Sequence, residues 1–343
     1  MRKTVLLAFS VIFVFLHLLV SCSKKDLPAN LSSSDRQIKI GFSIDTLIVE
    51  RWKQDCEIFN STAKKNGAIV SIMDAANSVQ TQISQIDSLI GQKVDVIVIV
   101  PKEASSMSAV VLKAKAKKIP VIAYDRLILN VPIDLYVSVD CEKVGILMAK
   151  RVASELKKGS CWSILGSKED YNMTMIETGI YKGLSGTKIP EVYKYFTPDW
   201  NYDLSYRKMS SLFAQGLVPD GIICGNDAIA ETVLRAISEQ RFGKTIPVVG
   251  QDADVLACRR IVSGLQDSTV YKPIEQLASI AAEYACCLAR GCEAEDIAEV
   301  SRFIDNGARK VPSVLLEPVL VTKENINQVI IDSGFHTFEE IYR

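Results

Sequence analysis

Histidine is almost absent from this chain. Among 343 residues there are two, His17 and His336, and the first lies in an N-terminal segment that reads as removable. One histidine in a C-terminal tail argues against histidine acid–base or triad chemistry. Excess charge is absent too: 40 basic residues balance 40 acidic ones, so nothing points to nucleic acid or an anionic surface. No G-x-x-x-x-G-K-[ST] loop or G-x-G-x-x-G turn occurs, which removes the usual phosphate cradles and any nucleotide cofactor they would hold. No H-E-x-x-H or EF-hand-like loop occurs, so no metal site is expected. The nine cysteines form no C-x-x-C pair and no disulfide framework. Cys161 and Cys224 fall in apolar strand-like runs, where cysteine acts as a small hydrophobe. The group Cys286, Cys287 and Cys292 sits at a helix end and is expected to hold buried or idle thiols, with metal or disulfide use the lesser reading.

Apolar residues make up 48% of the chain, ample for a large core, and the length suits two domains at about 150 residues each. Residues 1–22 read as an export signal. Arg2 and Lys3 form a positive start, and 5–20 is an apolar run short for a membrane span. The run ends in Leu19-Val20-Ser21-Cys22, which resembles a bacterial lipobox; that resemblance implies that Cys22 becomes the first mature residue and carries lipid. An ordinary signal peptide or an uncleaved anchor is the alternative. Residues 23–37 are polar without a hydrophobic period and read as a tether.

From residue 38 onward, short strands alternate with single helices. Strands are expected at 38–44, 68–73, 94–100, 120–124 and 135–139, then at 161–165, 192–196, 221–224, 247–249 and 269–271. The run 94–100 (VDVIVIV) is nearly continuous and β-branched, as suits a strand buried on both faces. Strands joined by single helices imply right-handed crossovers and parallel sheets. The fold class is therefore α/β: two Rossmann-like lobes with parallel sheets, joined by a three-segment hinge. The expected lobes are 38–143 with 273–308, and 144–272 with 309–343. Crossings are expected near 141–145, 271–273 and 306–312.

Several strands end in polar groups suited to a polyol. Residues 38–44 lead to Glu50-Arg51-Trp52, 120–124 to Asp125-Arg126, 221–224 to Asn226-Asp227 and 246–250 to Gln251-Asp252. Ligands of open α/β sheets sit at the carboxyl ends of the strands. Planar carboxylate, guanidinium and amide groups can hold neighbouring hydroxyls, and an indole can stack on a sugar's C–H face. The pattern points to a sugar-binding protein and not to an enzyme.

The same stretches, with Gln82-Ile83-Ser84-Gln85-Ile86, Ala123-Tyr124, Glu142-Lys143-Val144-Gly145, Gly250, Ala253-Asp254, Tyr271-Lys272-Pro273 and Val311-Pro312-Ser313, resemble one family. It is that of the periplasmic sugar-binding proteins of ABC transporters, within it the D-xylose binders. The resemblance spans about residues 38–340. It implies sugar contacts at Arg51, Trp52, Asp125, Arg126, Asn172, Trp200, Asn226, Asp252 and Lys272. Each has a blander reading: Asp125-Arg126 as a surface ion pair, Asn226 and Asp252 as helix caps, Trp52 as core, Lys272 as a hinge residue. Asp227 is expected to cap the helix that follows it. The family tends to have Asp-Asn-Asn-Ala where this chain has Asp170-Tyr171-Asn172-Met173. The resemblance further implies a monomer, attached to the membrane through lipid alone, that delivers D-xylose to an ABC permease. Alternatives are glucose, galactose or arabinose as the ligand, or a membrane sensor kinase or chemoreceptor as the partner. Sugar-responsive repressors share the fold but begin with a DNA-binding motif, where this chain has an export signal.

Overall fold

A computed structural model of the chain describes residues 36–48, 50–156 and 158–343. The leader, Cys22 and residues 23–35 of the expected tether lie outside the described residues. The elements run β1 (Ile38–Ile44), α1 (Glu50–Lys65), β2 (Ala68–Asp74), α2 (Val79–Gly91), β3 (Val96–Ile99), α3 (Ser108–Ala116), β4 (Val121–Tyr124) and β5 (Leu135–Val139). There follow α4 (Cys141–Glu155), β6 (Cys161–Leu165), α5 (Tyr171–Leu184), β7 (Glu191–Phe196), α6 (Tyr202–Ala214), β8 (Gly221–Cys224), α7 (Asp227–Ser238), β9 (Val248–Val249), α8 (Val255–Val262) and β10 (Ser268–Tyr271). The chain then forms α9 (Ile274–Ala289), β11 (Arg302–Asp305), β12 (Lys310–Leu316), β13 (Val319–Thr322) and α10 (Phe338–Tyr342).

These strands form two sheets. One has seven strands in the order β11-β12-β5-β4-β3-β1-β2, the other six in the order β13-β10-β9-β8-β6-β7. Pairing is parallel except for β11 with β12 and β10 with β13. In each sheet the chain winds outward in one direction, then returns past its first strand and winds in the other. The reversal falls between β1 and β3, and between β6 and β8. At such a point the loops at the carboxyl ends of neighbouring strands part and leave a crevice.

The alternation within β3 shows why this segment is a strand. Val96 and Val98 pack in the cluster that holds Phe59 of α1 and Leu277 and Ala281 of α9. Ile97 and Ile99 pack on the opposite face with Leu89 of α2 and Val110 and Val111 of α3. All four are completely buried, each contributing about 1.5–3 kcal/mol.

The third crossing comes later than the sequence suggested. β12 pairs with β5 from Ser313 beside Tyr136 to Leu316 beside Val139, so residues 310–316 complete the first sheet and the chain crosses between Leu316 and Val319. The Asn306-Gly307 turn, with Gly307 at φ 85°, resembles a link in sequence. It is instead the turn of the β11–β12 hairpin. The expectation for the C-terminal cysteines also changes: Cys287 and Cys292 form a disulfide. After α9 ends, Gly291 at φ 89° turns the chain back and leaves the two Cα atoms 5.3 Å apart, inside the span of about 4.4–6.8 Å that the bond requires. Cys56, Cys141, Cys161, Cys224, Cys258 and Cys286 are buried free thiols.

Helices α4 and α5 meet through glycine. A Cβ on Gly179 would lie 2.0 Å from the Glu142 carbonyl oxygen, and one on Gly145 would lie 2.1 Å from that of Ile176. Helix propensity alone would make Gly179→Ala stabilising by about 0.5–1 kcal/mol. Contact with backbone that cannot give reverses the sign. Gly179→Ala is expected to lower the unfolding free energy in urea by about 3 kcal/mol; a neutral or stabilising result would refute the close packing.

Candidate functional site

The site begins with the way β4 ends. Asp125 follows Tyr124 in the left-handed region, at φ 61°, a conformation that aspartate tolerates better than most residues. Its N–H donates to the Val137 carbonyl at 2.8 Å. Its own carbonyl accepts from the Tyr136 hydroxyl at 3.0 Å and the Ser138 hydroxyl at 2.6 Å. Strand β5 thus fixes the peptide. The carboxylate accepts from Arg51 Nη2 at 2.5 Å on one oxygen and from Asn172 Nδ2 at 3.0 Å on the other. Arg51 comes from the first turn of α1 and Asn172 from the start of α5, so Asp125 is gripped from both lobes.

Arg126 is shared in the same way. It meets Asp45, just past β1, at 2.6 Å and Asp170, the cap of α5, at 2.7 Å. Arg51 also lies 3.8 Å from Asp252 and 3.4 Å from Asp55 one helical turn on. Lys272, on the link after β10, pairs with Asp252 at 2.9 Å. Trp52 lies beneath both arginines, with guanidinium carbons 4.5 Å (Arg51) and 5.6 Å (Arg126) from its ring centre. The indole therefore supports the donor forks by cation–π attraction, besides lining the cavity.

Opposite stands the second lobe's wall. Asn226 caps α7, accepting from the Ile229 N–H at 2.8 Å, while its amide nitrogen donates to the Tyr202 hydroxyl at 3.3 Å. The expected capping role of Asp227 is thereby corrected: a side chain at the first helical position points inward, and Asp227 is a buried acceptor. It takes bonds from Gln266 Nε2 and Thr269 Oγ1, both at 2.8 Å, and from the Asp254 N–H at 3.1 Å. These bonds hold the turn that carries Asp252 (φ 99°) and Ala253 (φ 56°). Trp200 sits on the turn Pro198–Trp200 with Asp199 at φ 53° and Trp200 at φ 55°. Two consecutive left-handed residues cost about 1–2 kcal/mol each, and such strain gathers where a side chain must be held in one place.

All nine residues singled out in the sequence line one cavity: Arg51, Trp52, Asp125, Arg126, Asn172, Trp200, Asn226, Asp252 and Lys272. Asp45, Thr46, Asn77, Asp170, Met173, Tyr202 and Gln251 complete it. Asp45 follows directly on β1, a signal that could have found it; Gln251 closes the run 246–250 beside Asp252, as the sequence indicates; Asn77 and Tyr202 carry no such signal. His336 is buried elsewhere, bonded to the Ala253 carbonyl at 2.8 Å. The cavity measures about 60 Å³. One water takes about 10–15 Å³ by this measure, so the space suits one small polyol and not an oligosaccharide. Among the described residues, Trp52 Nε1, Trp200 Nε1, Asn172 Oδ1 and Gln251 Oε1 are buried atoms without a hydrogen-bond partner from the protein. Buried polar atoms are normally paired, so two donors and two acceptors remain for a ligand. No group of three or more His, Cys, Asp or Glu among the described residues could hold a metal ion.

Burial works against the charged form of every group here, and the neighbours decide the outcome. Asp125 is held below the usual carboxylate range because Arg51, Lys272 and Arg126 outweigh its burial. Asp170 is raised, since burial exceeds the help from Arg126. Lys272 is raised despite burial, chiefly by Asp252. Asp55 is raised to about 6 by burial, only partly offset by Arg51 and the Tyr124 hydroxyl.

A family model for the periplasmic binding protein domain matches residues 40–293. The chain belongs to the periplasmic binding proteins. Members of this family bind solutes and are not enzymes. A D-xylose-binding periplasmic protein of Haemophilus influenzae is 40% identical over 91% of this chain and 94% of its own length. The Escherichia coli D-xylose-binding periplasmic protein is 37% identical over 91% and 95%. Among solved structures, an ABC transporter solute-binding protein from Clostridium phytofermentans with bound β-D-glucose superposes with a TM-score of 0.81 at 29% identity, covering 88% of this chain and 99% of that one.

The Asp55 carboxyl gives a signed pH dependence. Its folded value of about 6 exceeds the ordinary 3.8, so it contributes stability that is full below pH 3.8 and lost as the pH rises through 6. Asp55→Asn removes that change. Unfolding in urea should show wild-type stability, relative to Asp55→Asn, falling by about 2 kcal/mol between about pH 4.5 and 7.5. A constant or rising difference would contradict it.

Proposed function

We propose that this periplasmic binding protein takes up D-xylose in the cavity between its sheets and hands it to an ABC sugar permease, while a lipid on Cys22 holds it to the membrane. The observation that carries the ligand class is the convergence of two guanidiniums, several carboxylates and the four unpartnered polar atoms on a space of monosaccharide size. The two D-xylose-binding relatives favour xylose. The fold-mate with glucose bound makes glucose the second reading. In the proposed complex, Asp125 and Asp252 accept from sugar hydroxyls, Arg51, Arg126 and Lys272 donate to them, and Trp200 covers an apolar face of the ring.

Calorimetry of the purified mature protein against D-xylose, D-glucose, D-galactose, L-arabinose and D-ribose tests this reading. Xylose is expected to bind most tightly, without turnover. Tighter glucose binding would replace the ligand, and silence toward all five would refute the reading. Asp125→Asn keeps the left-handed backbone but removes the charge to which Arg51 and Asn172 bond; it should weaken xylose binding about 100-fold, at about 1.5–3 kcal/mol per charged hydrogen bond.

The anchor rests on Leu19-Val20-Ser21-Cys22 after a short apolar run. Mass spectrometry of membrane-purified protein should find a diacylglyceryl cysteine, residue 22, at its N-terminus. An unmodified terminus elsewhere would rule the anchor out.

A further inference from the structure

Gln82 stands in a motif that the cavity does not use. Its side chain is fully buried, and both ends of its amide are occupied: Nε2 donates to the Val100 carbonyl and Oε1 accepts from the Lys102 N–H, both at 2.8 Å. The turn after β3 is fixed by these bonds. From it the side chain of Lys102, only 6% exposed, reaches across the gap between the sheets to Asp199 Oδ1 at 3.4 Å. A second link runs beside it, from the Ala104 N–H to the Glu169 carbonyl at 3.2 Å.

Asp199 is the first of the two left-handed residues, and the second is Trp200. The indole packs so closely on Gly166 that a Cβ there would fall 2.1 Å from the ring. The backbone of this turn is tied by the Trp200 N–H to Thr197 at 3.3 Å and the Asn201 N–H to Pro198 at 2.9 Å. Both are local bonds within one lobe. The ion pair with Lys102 is a restraint that reaches it from the opposite lobe.

We infer that Lys102 is a positioning residue: through Asp199 it holds the strained Trp200 turn against the cavity when the lobes meet, and so slows escape of the bound sugar. The second half of this inference rests on the sugar-binding reading above; the first half does not. The pair lies outside the cavity lining, so it adds nothing to which hydroxyls are recognised. Its effect belongs to the dissociation rate and, being a charge pair with one exposed partner, diminishes with salt.

Two measurements on the purified mature protein test this. Amide hydrogen exchange across residues 199–201, without sugar, should speed up about two- to fivefold in Lys102→Met and in Asp199→Asn, no further in the double variant, and hardly in Lys102→Arg, as expected for one exposed ion pair. Stopped-flow dissociation of D-xylose should accelerate by the same factor in the same variants, with association unchanged, and wild type should approach them at high salt. Unchanged exchange in Lys102→Met overturns the inference. Equal acceleration in Lys102→Arg and Lys102→Met also overturns it, because the buried stem and not the charge would then hold the turn. If wild type binds no monosaccharide, the sugar reading falls, and exchange alone decides the role of Lys102.

Discussion

Two buried guanidiniums must be neutralised, and both lobes bring carboxylates to them. Arg126 shares its charge between Asp45 at the end of β1 and Asp170 at the start of α5. Arg51 lies between Asp125 from the first sheet and Asp252 from the second. A buried ion pair gains little over its separated, hydrated partners, because desolvation offsets most of the attraction. Charges compensated across the gap therefore let the lobes meet without a large preference for meeting. A ligand's hydrogen bonds, added to such a near-balance, can decide the outcome, since only differential affinity shifts a conformational equilibrium.

The strained backbone follows from that need. Asp125, Trp200 and Asp252 all have positive φ, and each lies on a turn at the mouth of a sheet, not inside an element. A strand directs its side chains sideways. A left-handed residue at its end instead turns a carboxylate up into the crevice. Each such residue is held by bonds from a neighbouring strand or turn: Asp125 by Tyr136 and Ser138, Asp252 by its N–H to the Val270 carbonyl. The Asp227 carboxylate, raised by burial, supplies further support under the second of these turns.

Much of this was readable in the sequence because strands announce themselves. The β-branched run 94–100 and the polar groups closing successive apolar runs indicated parallel sheets with a crevice at their ends. The nine candidate residues came from those closures and from a family resemblance, and they share one cavity. Less legible were features set by geometry without a local signal. Asn77 and Tyr202 join the cavity through folding alone. Asn226, and not Asp227, caps α7, because one residue's shift along a helix start reverses which side chain points outward. The Asn306-Gly307 turn has the composition of a link but closes a hairpin. The Cys287–Cys292 bond needed the left-handed Gly291, whose effect a spacing of five residues does not reveal.

The late position of β12 and β13 bears on the order of synthesis. The first sheet lacks β12 until residue 316 has been made, and the second lacks β13 until residue 322, in a chain of 343. Contacts this distant in sequence form slowly, because loop closure precedes the reward of pairing. A chain emerging from the ribosome therefore carries two unfinished sheets for nearly its whole length.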